Sequence, residues 1–83
     1  MNYKVEFKPR SLKDIKQVPK TDAKRVLEKI EEMANDLKGD VKQLTNFTPE
    51  YRLRVGNYRV LFEIEENSIV IYRVRHRKEA YRK

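Results

Sequence analysis

Arg52 and Arg54 flank a single leucine, and Arg59 follows five residues later; by type and spacing these side chains could do chemistry. A second group fills residues 73–83, where Arg73, Arg75, Arg77, Lys78, Arg82 and Lys83 stand against one acid, Glu79. His76 and Tyr81 are interleaved with them. Arginine presents a rigid planar fork that matches phosphate and stacks on bases, whereas lysine acts as a point charge. Charge beside an aromatic ring is what unstacked RNA bases and their phosphates require.

Several chemistries are excluded by what is missing. The chain has no Cys, so disulfides, thiolate nucleophiles and Cys-ligated metals are absent, and its two glycines cannot build a phosphate-cradling loop. There is no H-x-x-x-H spacing and no carboxylate cluster on the basic segment, so neither a metal nor another cofactor is expected. The remaining reaction uses the 2′-hydroxyl of RNA as nucleophile. Arginines would stabilise the charge that develops on the phosphorane, and a His or Tyr would handle protons. His76 is the chain's one histidine. The competing reading for a solitary His is structural.

Charge supports a polyanionic partner. The net charge is +7, with 11 Lys/Arg against 9 Asp/Glu in residues 1–50 and 9 against 4 in residues 51–83. Seven of the nine arginines lie in the second segment. Nucleic acid is the simplest partner of that chemistry, and a merely solvated charged surface is the bland alternative.

The elements that must position these residues can be read from periodicity. Eighty-three residues suit one domain, residues 1–83, near the lower size at which a core sustains a fold alone. Tyr3, Val5 and Phe7 alternate as in a strand, and Pro9 ends it. Ser11 is the expected cap of a short helix carrying Leu12, Ile15 and Val18, which stops at Pro19. Thr21 is the expected cap of a longer amphipathic helix. Its stripe is Ala23, Val26, Leu27, Ile30, Met33, Ala34 and Leu37, and Gly39 closes it. Residues 39–50 read as a loop anchored by Leu44.

Three antiparallel strands are expected after Pro49. Tyr51, Leu53 and Val55 alternate with Arg52 and Arg54, and Gly56-Asn57 is a two-residue hairpin turn. That turn sets Val55 opposite Tyr58 and Arg54 opposite Arg59, so Arg52, Arg54 and Arg59 share the face away from the core. Like charges directly opposite are destabilising, and a bound polyanion relieves them; side chains splayed into solvent are the alternative. The third strand starts at Ser68. A two-residue turn at Glu66-Asn67 puts Arg73 on the core side, unless a bulge or longer turn intervenes. The expected fold is α+β, in the order β-α-α-β-β-β. A small antiparallel-rich sheet carries two helices on one face, and a short basic tail follows. The start, MNYKVEFKPR, lacks an apolar signal region and no run approaches a membrane span, so a cytoplasmic protein with no membrane partner is expected.

The runs YRLRVGNYRVLFEI (51–64) and RVRHRKEAYR (73–82) resemble the RelE toxins of the RelE/ParE superfamily, and the element order is similar over the whole chain. The resemblance implies a type II toxin–antitoxin toxin, a metal-independent endoribonuclease that enters the ribosomal A site and cleaves mRNA there, leaving a 2′,3′-cyclic phosphate. It also implies neutralisation by an acidic RelB-like antitoxin. By the same resemblance Arg52 and Arg54 match two basic positions often held by Lys, and Arg59 matches the hairpin Arg that contacts the scissile phosphate. Arg77 matches the late Arg that protonates the leaving oxygen, Tyr81 the ring that stacks on substrate, and His76 the His of an H-R pair. Arg75 and Lys78 are further RNA-binding candidates. The family's general-base Lys is replaced by Arg54, and arginine, which stays protonated, is a poor base. The second reading is the ParE branch, which shares the fold and inhibits DNA gyrase without cutting RNA.

Overall fold

Two prolines decide where the helices begin. The computed structural model describes residues 2–46 and 48–78. Helix α1 spans Pro9–Gln17, with proline in the first turn and Lys8 as its N-cap. Proline's φ is already helical and its missing N–H is one that a first turn leaves unused anyway. Ser11 is therefore not the cap. It lies inside the first turn, fully buried, and its hydroxyl donates to the Lys8 carbonyl at 2.7 Å. Helix α2 spans Lys20–Met33, and Pro19 takes the cap position expected of Thr21, with no side-chain cap. The Pro19 carbonyl accepts from Ala23 N at 2.8 Å, so the first turn closes on backbone alone.

The periodic stripe of α2 overruns the helix itself. Asp36 and Leu37 adopt φ of 60° and 57°, ending helical geometry ahead of Gly39, whose own φ is 112°. The strand that opens the chain catches this end, with Tyr3 N donating to Ala34 O at 2.8 Å. Val26, Ile30 and Met33 point inward while Leu27, on the same nominal stripe, is exposed, as is Leu12 of α1.

The sheet has five strands: β1 Lys4–Phe7, β2 Asp40–Gln43, β3 Tyr51–Val55, β4 Tyr58–Glu65 and β5 Ser68–His76. Their order is β1-β5-β4-β3-β2. β1 runs parallel to β5, and every other pairing is antiparallel. The α+β, antiparallel-rich architecture expected from the sequence holds. The addition is β2, inside the segment read as loop. Only Val41 of its four residues is partly buried, so the strand lacks the apolar alternation that announces one. It forms because β3 presents an open edge with Leu53 opposite Val41. Both helices pack on one face. Val26, Ile30 and Met33 of α2 join Leu53, Val60, Phe62, Ile69 and Ile71 in the core, with Ile15 and Val18 packed against them.

A β-bulge sets the register of β5. Pairing runs Glu65↔Ser68 to Phe62↔Ile71, then resumes at Leu61↔Arg73, leaving Tyr72 as the extra residue. Without it Arg73 would oppose Val60 and enter the core. With it Val74 opposes Val60, and Arg73 and Arg75 turn to the other face. The bulge is held from α1. The Asp14 carboxylate accepts from Arg73 Nε at 2.7 Å, Arg73 Nη2 at 3.2 Å and Val74 N at 3.0 Å. β1 pairs only as far as Ile71, so this one side chain satisfies a backbone donor where the neighbouring strand has ended. Among the described residues no helix is long and apolar enough to cross a membrane.

Candidate nucleic-acid interface

The hairpin around Gly56 sets the geometry of the basic face. Gly56 has a φ of 56°, which glycine adopts without penalty, and the pairing beyond it is Val55↔Tyr58, then Arg54↔Arg59. β4 carries the register into β5, where Arg59 opposes Arg75. Arg54, Arg59 and Arg75 therefore form one row across three adjacent strands, on the face turned from the helices. Neighbours in such a row sit about 5 Å apart. The next row reads Lys42, Arg52, Leu61, Arg73 across β2 to β5. Leu61 is buried although it belongs to this face rather than to the main core. Further along the same strands the face becomes acidic, with Glu63 and Glu65 on β4.

The guanidinium groups differ in how they are held. Arg59 Nη1 donates to the Gly56 and Tyr58 carbonyls, both at 3.1 Å, so this side chain braces its own hairpin turn. Arg52 Nη1 donates to Asp40 O at 2.9 Å and to Asp40 Oδ1 at 3.2 Å. Arg73 is clasped by Asp14. Arg54 is exposed, in the centre of the basic half. Positive charges projected in a row from a strand scaffold are placed in advance to orient an anion. Among the described residues no group of three His, Asp or Glu could hold a metal ion.

The structure brings Arg52, Arg54 and Arg59 together as the sequence implied, adds Arg75 to their row through the bulge in β5, and turns His76 to the opposite side of that strand. His76 opposes Tyr58, a core-side position, and the two rings meet edge-on with centroids 5.6 Å apart. Its Nδ1 accepts from Lys78 N at 3.3 Å. It lines a cleft of about 350 Å³ at the β5 margin beside α1, together with Asp14, Gln17, Val18 and Tyr58 and with its own strand's Arg73, Val74 and Arg75. Arg77 is exposed just past β5, its N–H donating to Asn57 O at 2.7 Å, so it stands at the hairpin end of the arginine row. Lys78 is exposed beside it. Tyr81 lies outside the described residues.

Two carboxylates that order this face escaped the sequence reading. Asp14 sits on an unremarkable helical position 59 residues from its partner Arg73, and no local pattern links the two. Asp40 lies in the supposed loop. Its one signal was the isolated apolar Val41 between polar neighbours, too short to count as alternation.

Comparison with known proteins gives a consistent picture. The family described as ParE toxin of the type II toxin–antitoxin system parDE matches residues 5–81. The chain is 42% identical over 83 residues to Toxin RelE3 of Methanocaldococcus jannaschii, covering 94% of each. Its fold matches a chain of the RelB–RelE antitoxin–toxin complex from Methanococcus jannaschii with TM-score 0.76 and 39% identity, over 92% of this chain and 94% of that one. It also matches the toxin–antitoxin complex RelBE2 from Mycobacterium tuberculosis with TM-score 0.79 and 25% identity, over 92% of this chain and 99% of that one.

Proposed function

Because this chain belongs to the RelE/ParE superfamily as a RelE-type toxin of a type II toxin–antitoxin module, we propose that it is a ribosome-dependent endoribonuclease that cuts mRNA by 2′-hydroxyl attack. The observation that carries this reading is the row Arg54–Arg59–Arg75 with Arg52 beside it, on the face opposite the helix-covered core. A row of like charges accepts mutual repulsion in the free protein, and successive phosphates of a single strand relieve it. Arg54 and Arg59 hold the scissile phosphate and its developing charge, and Arg52 and Arg75 bind the flanking backbone. Arg59 exchanges its turn carbonyls for phosphate on binding. Arg77 serves the leaving oxygen from the hairpin end of the row, Tyr81 stacks on a base, and Lys78 adds charge. His76, on the other side of the sheet, stabilises the β4–β5 end through Tyr58 rather than exchanging protons with substrate.

Inducing the protein in growing cells and mapping mRNA 5′ ends against reading frames tests this. New ends confined to translated frames are expected. Intact mRNA accompanied by DNA damage would move the protein to the gyrase-inhibiting branch, which the description of the matching family as ParE toxin keeps in view.

An acidic RelB-like antitoxin is the second partner in this reading. Relatives of this fold were solved as RelB–RelE complexes, and a net charge of +7 favours an acidic chain across the arginine face. Tagged toxin expressed in its native host is expected to capture a small acidic protein that moderate salt weakens and high salt releases. Capture of ribosomes alone would remove this partner.

A further inference from the structure

Cleavage by the 2′-hydroxyl needs a group that accepts its proton, and the row just described consists of side chains that cannot. Guanidinium stays protonated in proteins, and the one histidine faces the helices. We propose that the Asp40 carboxylate is that acceptor, an assignment that rests on the nuclease reading above.

Register places Asp40 in the right row. It opens β2 directly opposite Arg54, so four adjacent strands read Asp40, Arg54, Arg59, Arg75. Val41, the next residue, packs against the core, which turns Asp40 to the arginine face. Arg52 fixes it there through the 3.2 Å bond to Oδ1 and the 2.9 Å bond to the Asp40 carbonyl. The side chain is nonetheless 54% exposed, so a substrate can reach it. Other carboxylates near the sheet are occupied or remote. Asp14 is committed to Arg73 and Val74. Glu63 Oε2 accepts from Glu50 N at 2.8 Å, and Glu65 pairs with Ser68 at the far turn. Among the described residues Asp40 is the carboxylate that shares a row with the arginines.

Its place in the row also suits the direction of the reaction. In-line displacement at phosphorus puts nucleophile and leaving group on opposite sides of the phosphate. Asp40 stands at the β2 end of the row and Arg75 at the β5 end, with Arg77 displaced from Arg75 along the chain toward the Gly56-Asn57 turn. Arg54 and Arg59 lie between, where the phosphate sits. An Asp40 oxygen takes the proton from O2′, and the O2′ lone pair forms the bond to phosphorus. The P–O5′ bond breaks and O5′ gains a proton from a water on the β5 side, while the guanidinium groups of Arg75 and Arg77 stay charged and stabilise the departing oxygen. The products are a 2′,3′-cyclic phosphate and a 5′-hydroxyl. Asp40 returns its proton to solvent, and no oxidant or co-substrate is needed.

Asp40→Asn separates this role from anchoring Arg52, because the amide oxygen still accepts the Arg52 hydrogen bond. The measurement is single-turnover mRNA cleavage on programmed ribosomes at saturating toxin, alongside ribosome affinity and thermal melting. Asp40→Asn is expected to lower the cleavage rate roughly 10²- to 10⁴-fold, the range for loss of a general base. Affinity should stay level or tighten, because a negative charge facing a polyanion is gone. Asp40→Glu, which restores the carboxylate, should recover part of the rate. An Asn variant that cuts within a few-fold of wild type overturns the assignment and leaves the nuclease reading standing. So does an Asn variant whose loss tracks a lowered melting temperature, or a Glu variant as slow as Asn. A wild-type protein that cuts nothing on the ribosome overturns the nuclease reading itself, and the assignment with it.

Discussion

Arg54→Ala is expected to lower mRNA cleavage roughly 10²- to 10³-fold, the usual cost of one donor aimed at developing charge, without weakening the fold. Arg54 is exposed and sits between Asp40 on β2 and Arg59 on β4. Surface substitutions away from special features shift stability by under about 0.5 kcal/mol. Here removal of a like charge opposite Arg59 should offset the lost favourable contact with Asp40. Activity and stability therefore separate, and chemical denaturation run beside the cleavage assay reads both. Arg59→Ala is a less clean probe, because Arg59 also braces the Gly56 turn. If Arg54→Ala cut mRNA within a few-fold of wild type, the central position of the row would not be where the phosphate sits.

Phe62→Ala is expected to unfold the protein. Phe62 is fully buried at the centre of β4, opposite Tyr51 on one side and Ile71 on the other, and its ring stacks on Tyr51 with centroids 5.5 Å apart. Truncating a buried phenylalanine costs about 3–5 kcal/mol in lost transfer energy and cavity formation. Whole domains have about 5–15 kcal/mol, with one this short near the lower end. Each kcal/mol moves the melting temperature about 4–8 °C in a domain of this size, so the loss amounts to tens of degrees. Circular dichroism melts and urea titration measure it. A loss below about 1 kcal/mol would mean that the core closes over the gap and that Phe62 is not its centre. Because Phe62↔Ile71 is also the last pair before the bulge, the variant tests whether core packing there holds the arginines in register.

Much of the basic face could be read from local sequence, and the reason is geometric. A two-residue turn at Gly56-Asn57 and strict alternation on either side fix which residues face each other, so Arg54↔Arg59 and their shared face follow without knowledge of the rest of the fold. The apolar steps of α2 likewise picked out Val26, Ile30 and Met33, though not that Leu27 would be left outside. Both helices are capped two or three residues ahead of the expected positions, because a proline at the entry outweighs a side-chain cap nearby. That competition is local, and the prolines were its signal.

What only the tertiary structure decided is what depends on a partner distant in the chain. β2 is a strand because β3 offers it an edge, and that pairing is what brings Asp40 beside Arg52 and Arg54. β1 joins the sheet beside β5, parallel to it, a contact between the two ends of the chain that no short-range pattern encodes. The bulge at Tyr72 turns Arg73 and Arg75 to the open face and leaves His76 on the helix side, and its clasp comes from Asp14, 59 residues away. A shift of one residue along β5 exchanges its two faces. Sequence determined that the chain carries a basic hairpin and a basic final segment. The fold decided which of their side chains meet, because strand register beyond the first turn is set by packing and by distant hydrogen bonds rather than by neighbours in the chain.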